Sequence, residues 1–186
     1  MIEGGQDRQE AALRLAIWAK SAAKGMALVS SSDVGANLDL IARLDTILGE
    51  SGEQFSHIEL PWCEDPLEAP QVLLESLKSA PQGTVAVTAL MVAFRTTRDS
   101  ANAIRVLNTM REALAELPLK QIWFCPPILI QSLRQLAPDL MRWFLVFEEL
   151  QAYPSPDLMR WFLVFEELEA YLSDVLANAW QILTDQ

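Results

Sequence analysis

Basic residues are scarce in this sequence: 14 Lys and Arg stand against 25 Asp and Glu, a formal net charge of -11. Binding a phosphate backbone needs clustered cations, so nucleic acid and anionic membrane surfaces are excluded as expected partners. Cysteine is scarcer still. Cys63 and Cys125 are too few for a disulfide framework and their spacing fits no zinc motif, so they read as reduced thiols, which suits the cytoplasm. The single histidine, His57, cannot supply the usual two-histidine catalytic metal set. No stretch approaches the ~20 apolar residues of a membrane span. The opening "MIEGGQDRQE" has neither the basic start nor the apolar stretch of a secretory signal. A soluble, cytoplasmic protein is expected. What the chain does have is hydrophobic residues, 51% of 186, enough for one well-buried core and a small appendage.

Apolar periodicity alternates along the chain between helical and strand-like. "QEAALRLAIWAKSAA" places Ala12, Leu13, Ala16, Ile17, Ala19 and Lys20 at helical spacings, and Gly25 ends that helix. "MALVS" is a short buried strand closed by the polar cluster "SSSDVGAN". A helix with Leu38, Ile41, Leu44 and Leu48 follows, stopping at Gly49. "FSHIEL" is a strand ended by Pro61, and "LEAPQVLLESLKSA" a helix whose Pro70 must lie in its first turn. "TVAVTAL", dense in β-branched residues, is the clearest strand. "RDSANAIRVLNTMREALAEL" reads as one helix ended by Pro118, and "KQIWFCPP" as a strand stopped by two prolines. Such alternation predicts an α/β fold: a three-layer sandwich around a mainly parallel five-stranded sheet.

Ligands in such folds sit at the carboxyl ends of the strands. That directs the search to Ser30–Asn37, Pro61–Asp65, Ala89–Arg95 and Cys125–Pro127. The first of these occupies the place of a phosphate-binding loop, which needs glycines to wrap phosphates, a lysine for their charge and a hydroxyl for magnesium. It has one glycine, Gly35, and no lysine occurs from Met26 through Ser76. Ser32 or Asp33 is expected to cap the following helix. A residual anion or nucleotide site there would use Ser31, Ser32, Asp33, Gly35 and Asn37. "TVAVTAL" ends without the carboxylate that would hold magnesium or activate water, so the electrostatic basis of phosphoryl transfer is missing and no enzyme is expected. A metal site can be drawn from His57, Glu59 and Cys63, but a strand with an acidic exit loop explains those residues as well. A nucleophile from Ser30 to Ser32 with His57 lacks the "G-x-S-x-G" elbow. Glu148, Glu149, Glu166 and Glu167 read as a solvated face, and Trp18, Trp123 and Trp143 as core.

"GMALV" before a polar loop, "LIARL", "LNTMREALAELP" followed by "IWFCPP", and "LRQLAPDL" with "VFEE" together resemble the N-terminal ATPase-like domain of bacterial signal-transduction proteins related to STAND NTPases. The resemblance spans roughly residues 11–150. It implies a P-loop-like fold with a degenerate nucleotide loop, and it carries over to Asn108, Arg111 and Glu112 on a helix before the fourth strand and to Ala137, Pro138 and Asp139 before the fifth.

"PDLMRWFLVFEEL" occurs twice, at Pro138–Leu150 and again at Pro156–Leu168. Extending both copies to Tyr153 and Tyr171 gives fifteen identities in sixteen, with Gln151 against Glu169, the mark of a tandem duplication of eighteen codons. Two copies do not make a repeat fold. The first is expected to give a fifth strand at Arg142–Phe147. The second, entered by Ser155 and Pro156 and continued by "EAYLSDVLANAWQIL", is expected to be helical. The chain is thus read as an α/β domain over 1–153 and a helical extension over 154–186. The function expected is a non-catalytic scaffold or signalling domain, needing no cofactor and working through a protein partner or homodimer. Its contact surface would be the C-terminal segment, with Trp161, Phe162, Phe165 and Trp180. The alternative is a switch that binds ATP or GTP weakly without hydrolysis.

Overall fold

A computed structural model describes residues 3–94 and 98–150. Helix α1 (Glu3–Ser21) leads into strand β1 (Gly25–Ser30), helix α2 (Val34–Gly49) and strand β2 (Phe55–Glu59). A 3-10 turn (Pro66–Glu68), helix α3 (Ala69–Ser79) and strand β3 (Gly83–Thr88) follow. Then come helices α4 (Leu90–Ala93), α5 (Arg98–Thr109) and α6 (Arg111–Ala115), strand β4 (Leu119–Cys125), helices α7 (Pro127–Leu136) and α8 (Pro138–Met141), and strand β5 (Phe144–Glu149). The five strands form one sheet in the order β2-β3-β4-β1-β5, with every pairing parallel. The expected α/β class, the five parallel strands and the helices on both faces are all present.

Burial explains why β1, β3 and β4 read as continuous apolar runs. Each has a strand on both sides and helices over both faces, so successive residues are buried whichever way they point. Residues alternate between two cores. Ala27, Val29, Ala86, Ile122 and Phe124 pack under α1 and α2. Met26, Leu28, Val85, Val87, Trp123 and Cys125 pack under α3, α5, α6 and α7. The layers follow from the connections: β1 crosses to the far edge strand β2, while β2, β3 and β4 step back the other way, and right-handed crossovers in opposite directions put their helices on opposite faces.

Several local expectations are corrected. In α1 the buried stripe is Ala11, Ala12, Leu15, Ala16 and Ala19, while Leu13 and Ile17 are exposed. The helix is rotated so that four alanines and Leu15, rather than Leu13 and Ile17, meet its neighbours. In α2, Leu40 joins Ile41, Leu44 and Leu48 in the core and Leu38 lies outside. The helix expected over 98–117 breaks at Met110, whose N–H is shared between the carbonyls of Val106 (3.2 Å) and Leu107 (3.1 Å) before α6 restarts. Strand β3 stops at Thr88 because Ala89 adopts a left-handed conformation (φ 59) that turns the chain into α4. Pro70 does lie at the start of α3, as expected.

The first copy of the duplicated segment supplies α8 and β5. The strand begins two residues later than expected, because Arg142 and Trp143 still bond back to Asp139 and Leu140. Trp143 is correspondingly exposed rather than core. Leu145 is an extra residue in the β5 ladder: Met26 aligns with Phe144, and Ala27 already aligns with Val146. The second copy, its expected helix and the extension over 154–186 lie outside the described residues.

Candidate functional site at the carboxyl ends of the strands

Strand β1 leaves the sheet toward α2 on one face while its neighbour β4 leaves toward α7 on the other, so the carboxyl ends of these two strands form the topological switch point, the place where such folds hold ligands. The loop at this point is only Ser31–Asp33. Its start is held from both neighbouring strands' sides. The Ser31 N–H donates to the Cys125 carbonyl at 2.9 Å, extending the β1/β4 ladder by one residue, and the Leu150 N–H donates to the Ser30 carbonyl at 3.0 Å.

Within the loop the polar groups satisfy one another. The Asp33 N–H donates to Ser31 Oγ at 3.2 Å, and the Asp33 carboxylate accepts from the Ala36 N–H at 3.0 Å. Of the two caps the sequence offered, Asp33 is the one used. This matters electrostatically: the positive end of α2, where an anion would be held, already has a carboxylate on it. Gly35 lies beside that carboxylate, and a Cβ built on it would stand 3.3 Å from Asp33 Oδ1. Ser31 is buried, Ser32 is exposed, and Asn37 Oδ1 is buried with no hydrogen-bond partner. The five residues put forward as an anion site are thus brought together, around a cap rather than an open cradle.

On the neighbouring strand β4, burial pushes the Cys125 thiol pKa well above its ordinary range, which keeps it protonated and unreactive. Pro126 and Pro127 follow it into α7. Strand β3 contributes Thr88 and the left-handed Ala89, neither of which carries charge.

The other candidates are placed apart from this switch point. His57 and the serines cannot meet, because β4 and β3 lie between β1 and β2. His57 is on the outer strand, with Nε2 2.7 Å from Thr88 Oγ1, and it and Glu59 are exposed. Cys63 is buried, its thiol turned toward the Pro61 carbonyl at 3.8 Å. Among the described residues no three His, Cys, Asp or Glu side chains are grouped to hold a metal ion. Asn108 and Asp139 do come together, as a structural joint. Asn108 Nδ2 donates to Asp139 Oδ2 (3.3 Å), and its Oδ1 accepts from the Leu140 N–H (3.0 Å), tying α5 to α8. Arg111 caps the end of α5 by donating to the Asn108 carbonyl (3.0 Å) and pairs with its neighbour Glu112 at 3.3 Å. Ala137 is buried beneath this joint, and Pro138 opens α8. Trp161, Phe162, Phe165 and Trp180 lie outside the described residues.

One pair was missed by the sequence reading. Glu148, expected on a solvated face, is buried, and Arg14 reaches it from α1 with a two-pronged contact, Nε to Oε1 and Nη2 to Oε2, both 2.8 Å. The fork raises the arginine pKa, through the hydrogen bond to Glu148 first. The signal was an acid in alternation with Val146 and Leu150, residues packed in the α1/α2 core, with the bulge resetting which residues share that face.

No known protein family matches the chain, and no curated protein sequence matches it. Among solved structures it is similar to the ORC2 protein of Aeropyrum pernix in its ADP form, with a TM-score of 0.50 and 12% identity. The match covers 86% of this chain and 51% of that one, so the chain spans about half the length of its neighbour. At that identity the likeness concerns the fold alone. It supports a P-loop-like α/β architecture and carries nothing of a STAND-related signalling assignment.

Proposed function

We propose that this chain is a P-loop-like domain that acts through protein contacts and not through phosphoryl transfer. The observation that carries this reading is the loop after β1. It is three residues long, lacks lysine, and places the Asp33 carboxylate on the helix N-terminus where a phosphate would need positive potential. The end of β3 offers Thr88 and Ala89 where a metal-holding carboxylate would be needed. The net charge of -11 favours a protein partner over nucleic acid. A signalling role of the STAND-related kind, contact through Trp161, Phe162, Phe165 and Trp180, and a cytoplasmic setting extend the same reading.

A second reading, a switch that binds a nucleotide weakly without hydrolysing it, is favoured by one feature. The loop after β1 lies at the point of strand reversal where such folds bind ligands, and the unpartnered Asn37 Oδ1 is one turn into the helix that follows it. Titration with ATP, GTP and ADP in the presence of magnesium, read as melting temperature, decides between the two. A ligand that binds only the folded state must raise the melting temperature, by an amount growing with the logarithm of its concentration. No rise is expected. A reproducible, concentration-dependent rise overturns the contact-only reading in favour of the switch.

A further inference from the structure

We propose that the exit loop of β2, with the start of α4 beside it, is a docking surface for a segment of another protein in which apolar side chains are flanked by Lys or Arg. This rests on the reading of the chain as a contact domain and gives that contact a place. The loop over 60–68 is firmly held. The Leu60 N–H donates to the Thr88 carbonyl at 3.2 Å, tying the exit of β2 to that of β3. Leu60 and Cys63 are buried in the same core as α3, and Asp65 caps the 3-10 turn by accepting from the Leu67 N–H at 2.9 Å. With those residues anchored, Trp62 and Leu67 are left 56% and 43% exposed, and Val92, just past the exit of β3, is 47% exposed.

Exposed apolar side chains are ordinary when scattered singly. Here they collect at one end of the sheet. Each of β1, β2, β3 and β4 is followed within four residues by an exposed large hydrophobic: Val34, Trp62, Val92 and Ile128. Of the four residues that precede each strand, only Trp143 is exposed in that way. Charge selects the occupant. Glu59, Glu64 and Glu68 flank Trp62 and Leu67, all three are exposed, and none makes an ion pair or a side-chain hydrogen bond with a described residue. From Met26 through Ser76 the sole Lys or Arg is Arg43, which is committed to Asp39 on α2. Apolar side chains set among unneutralised carboxylates are complementary to apolar side chains set among cations. A second copy fits less well, because a two-fold contact would set the same acidic loop against itself. Trp62 is suited to anchor the contact, being large and carried on a loop already held in place.

The probe is a dye-labelled helical peptide with a leucine face and a lysine face, titrated with the full chain and followed by fluorescence anisotropy. Analogues with glutamate for lysine, and with serine for leucine, should bind roughly ten-fold or more weakly than the parent peptide. Trp62→Ser should weaken binding of the lysine–leucine peptide by roughly ten-fold or more. The variant E64Q/E68Q should flatten its salt dependence. Matched changes elsewhere, Ile17→Ser on α1 and E50Q/E116Q at the opposite end of the sheet, should alter binding by less than about two-fold. Absence of binding, W62S binding as the parent does, or controls as damaging as W62S each overturn the proposal. V92S supplies the same comparison if W62S lowers the melting temperature. Self-association of the parent that W62S abolishes would give the surface to a second copy and also overturns it. A nucleotide-dependent rise in melting temperature would overturn the contact-only reading, whereas a peptide indifferent to W62S overturns this placement alone.

Discussion

On one side of the sheet α1 presents Ala11, Ala12, Ala16 and Ala19, all buried, and α2 lies beside it. On the other, Trp123, Phe94, Leu73, Leu77, Leu90 and Leu107 are buried with almost no exposure. The two cores flank the same strands but differ in what one helix brings to them: α1 contributes mainly methyl groups, with Leu15 its one large buried side chain and α2 supplying Leu40, Leu44 and Leu48, whereas the second core is centred on larger side chains such as Trp123 and Phe94. A core of the second kind is sensitive to removal of volume, because the cavity left behind does not collapse. One of the first kind is sensitive to added volume, because there is no room for it.

The largest effect should come from Trp123→Ala, which removes the biggest buried side chain, its edge contact with Phe144 and its hydrogen bond to Gln121 (3.2 Å). A loss of about 3–5 kcal/mol in urea unfolding is expected. On the opposite face Ala16→Leu should cost about 1–3 kcal/mol by overpacking. If A16L were neutral, the alanine face would be looser than its burial implies and the contrast between the cores would disappear.

Each face of the sheet also has a polar stitch, Arg14 to strand β5 itself and Asn108 to the helix α8 that leads into it, and these differ in who is buried. Arg14 is more than half exposed while its partner Glu148 is nearly covered, with side-chain exposures of 55% and 9%. Losing the arginine strands a buried carboxylate; losing the glutamate merely returns an arginine to water. Arg14→Ala should therefore cost about 1–3 kcal/mol and Glu148→Ala less than about 1 kcal/mol. On the other face, Asn108→Ala leaves the Leu140 N–H without its acceptor, at about 1–2 kcal/mol. Equal losses for R14A and E148A would show that burial does not govern the pair.

The order of the five strands and of α1, α2, α3 and the helical stretch over 98–115 was legible because periodicity changes from helical to strand-like and back across Gly25, Gly49, Pro61 and Pro118, whereas α4, α7 and α8 were not read as helices. The facing of α1 was not, because alanine and leucine both count as apolar and spacing alone does not choose between two adjacent apolar stripes. Nor was the break at Met110, where no proline or glycine stands and the signal is a shared hydrogen bond. At the candidate site the polar loop was visible, but Ser32 and Asp33 are both good caps, and only geometry selects one. The Arg14–Glu148 fork joins residues 134 positions apart, and the bulge at Leu145 resets the alternation that would have pointed to it.

The smallest effect at neutral pH concerns Cys125, which ends β4 on the large-side-chain face. Its thiol is buried and its pKa in the folded protein is raised from an ordinary value of 9.0 by loss of solvation. A group whose pKa is raised on folding contributes stability below its unfolded pKa and loses it as pH rises beyond, because the unfolded chain releases the proton first. The window therefore opens near pH 9. Between pH 7 and pH 9.5 the parent should lose about 1 kcal/mol that Cys125→Ala does not, the free energy of ionising the exposed thiol in the unfolded state. Urea unfolding of both proteins at the two pH values isolates this term, since the remaining titrating groups are common to them. Parallel losses would mean that the thiol ionises as readily inside the fold as outside it, and that the core beneath β4 admits water where its burial says it does not.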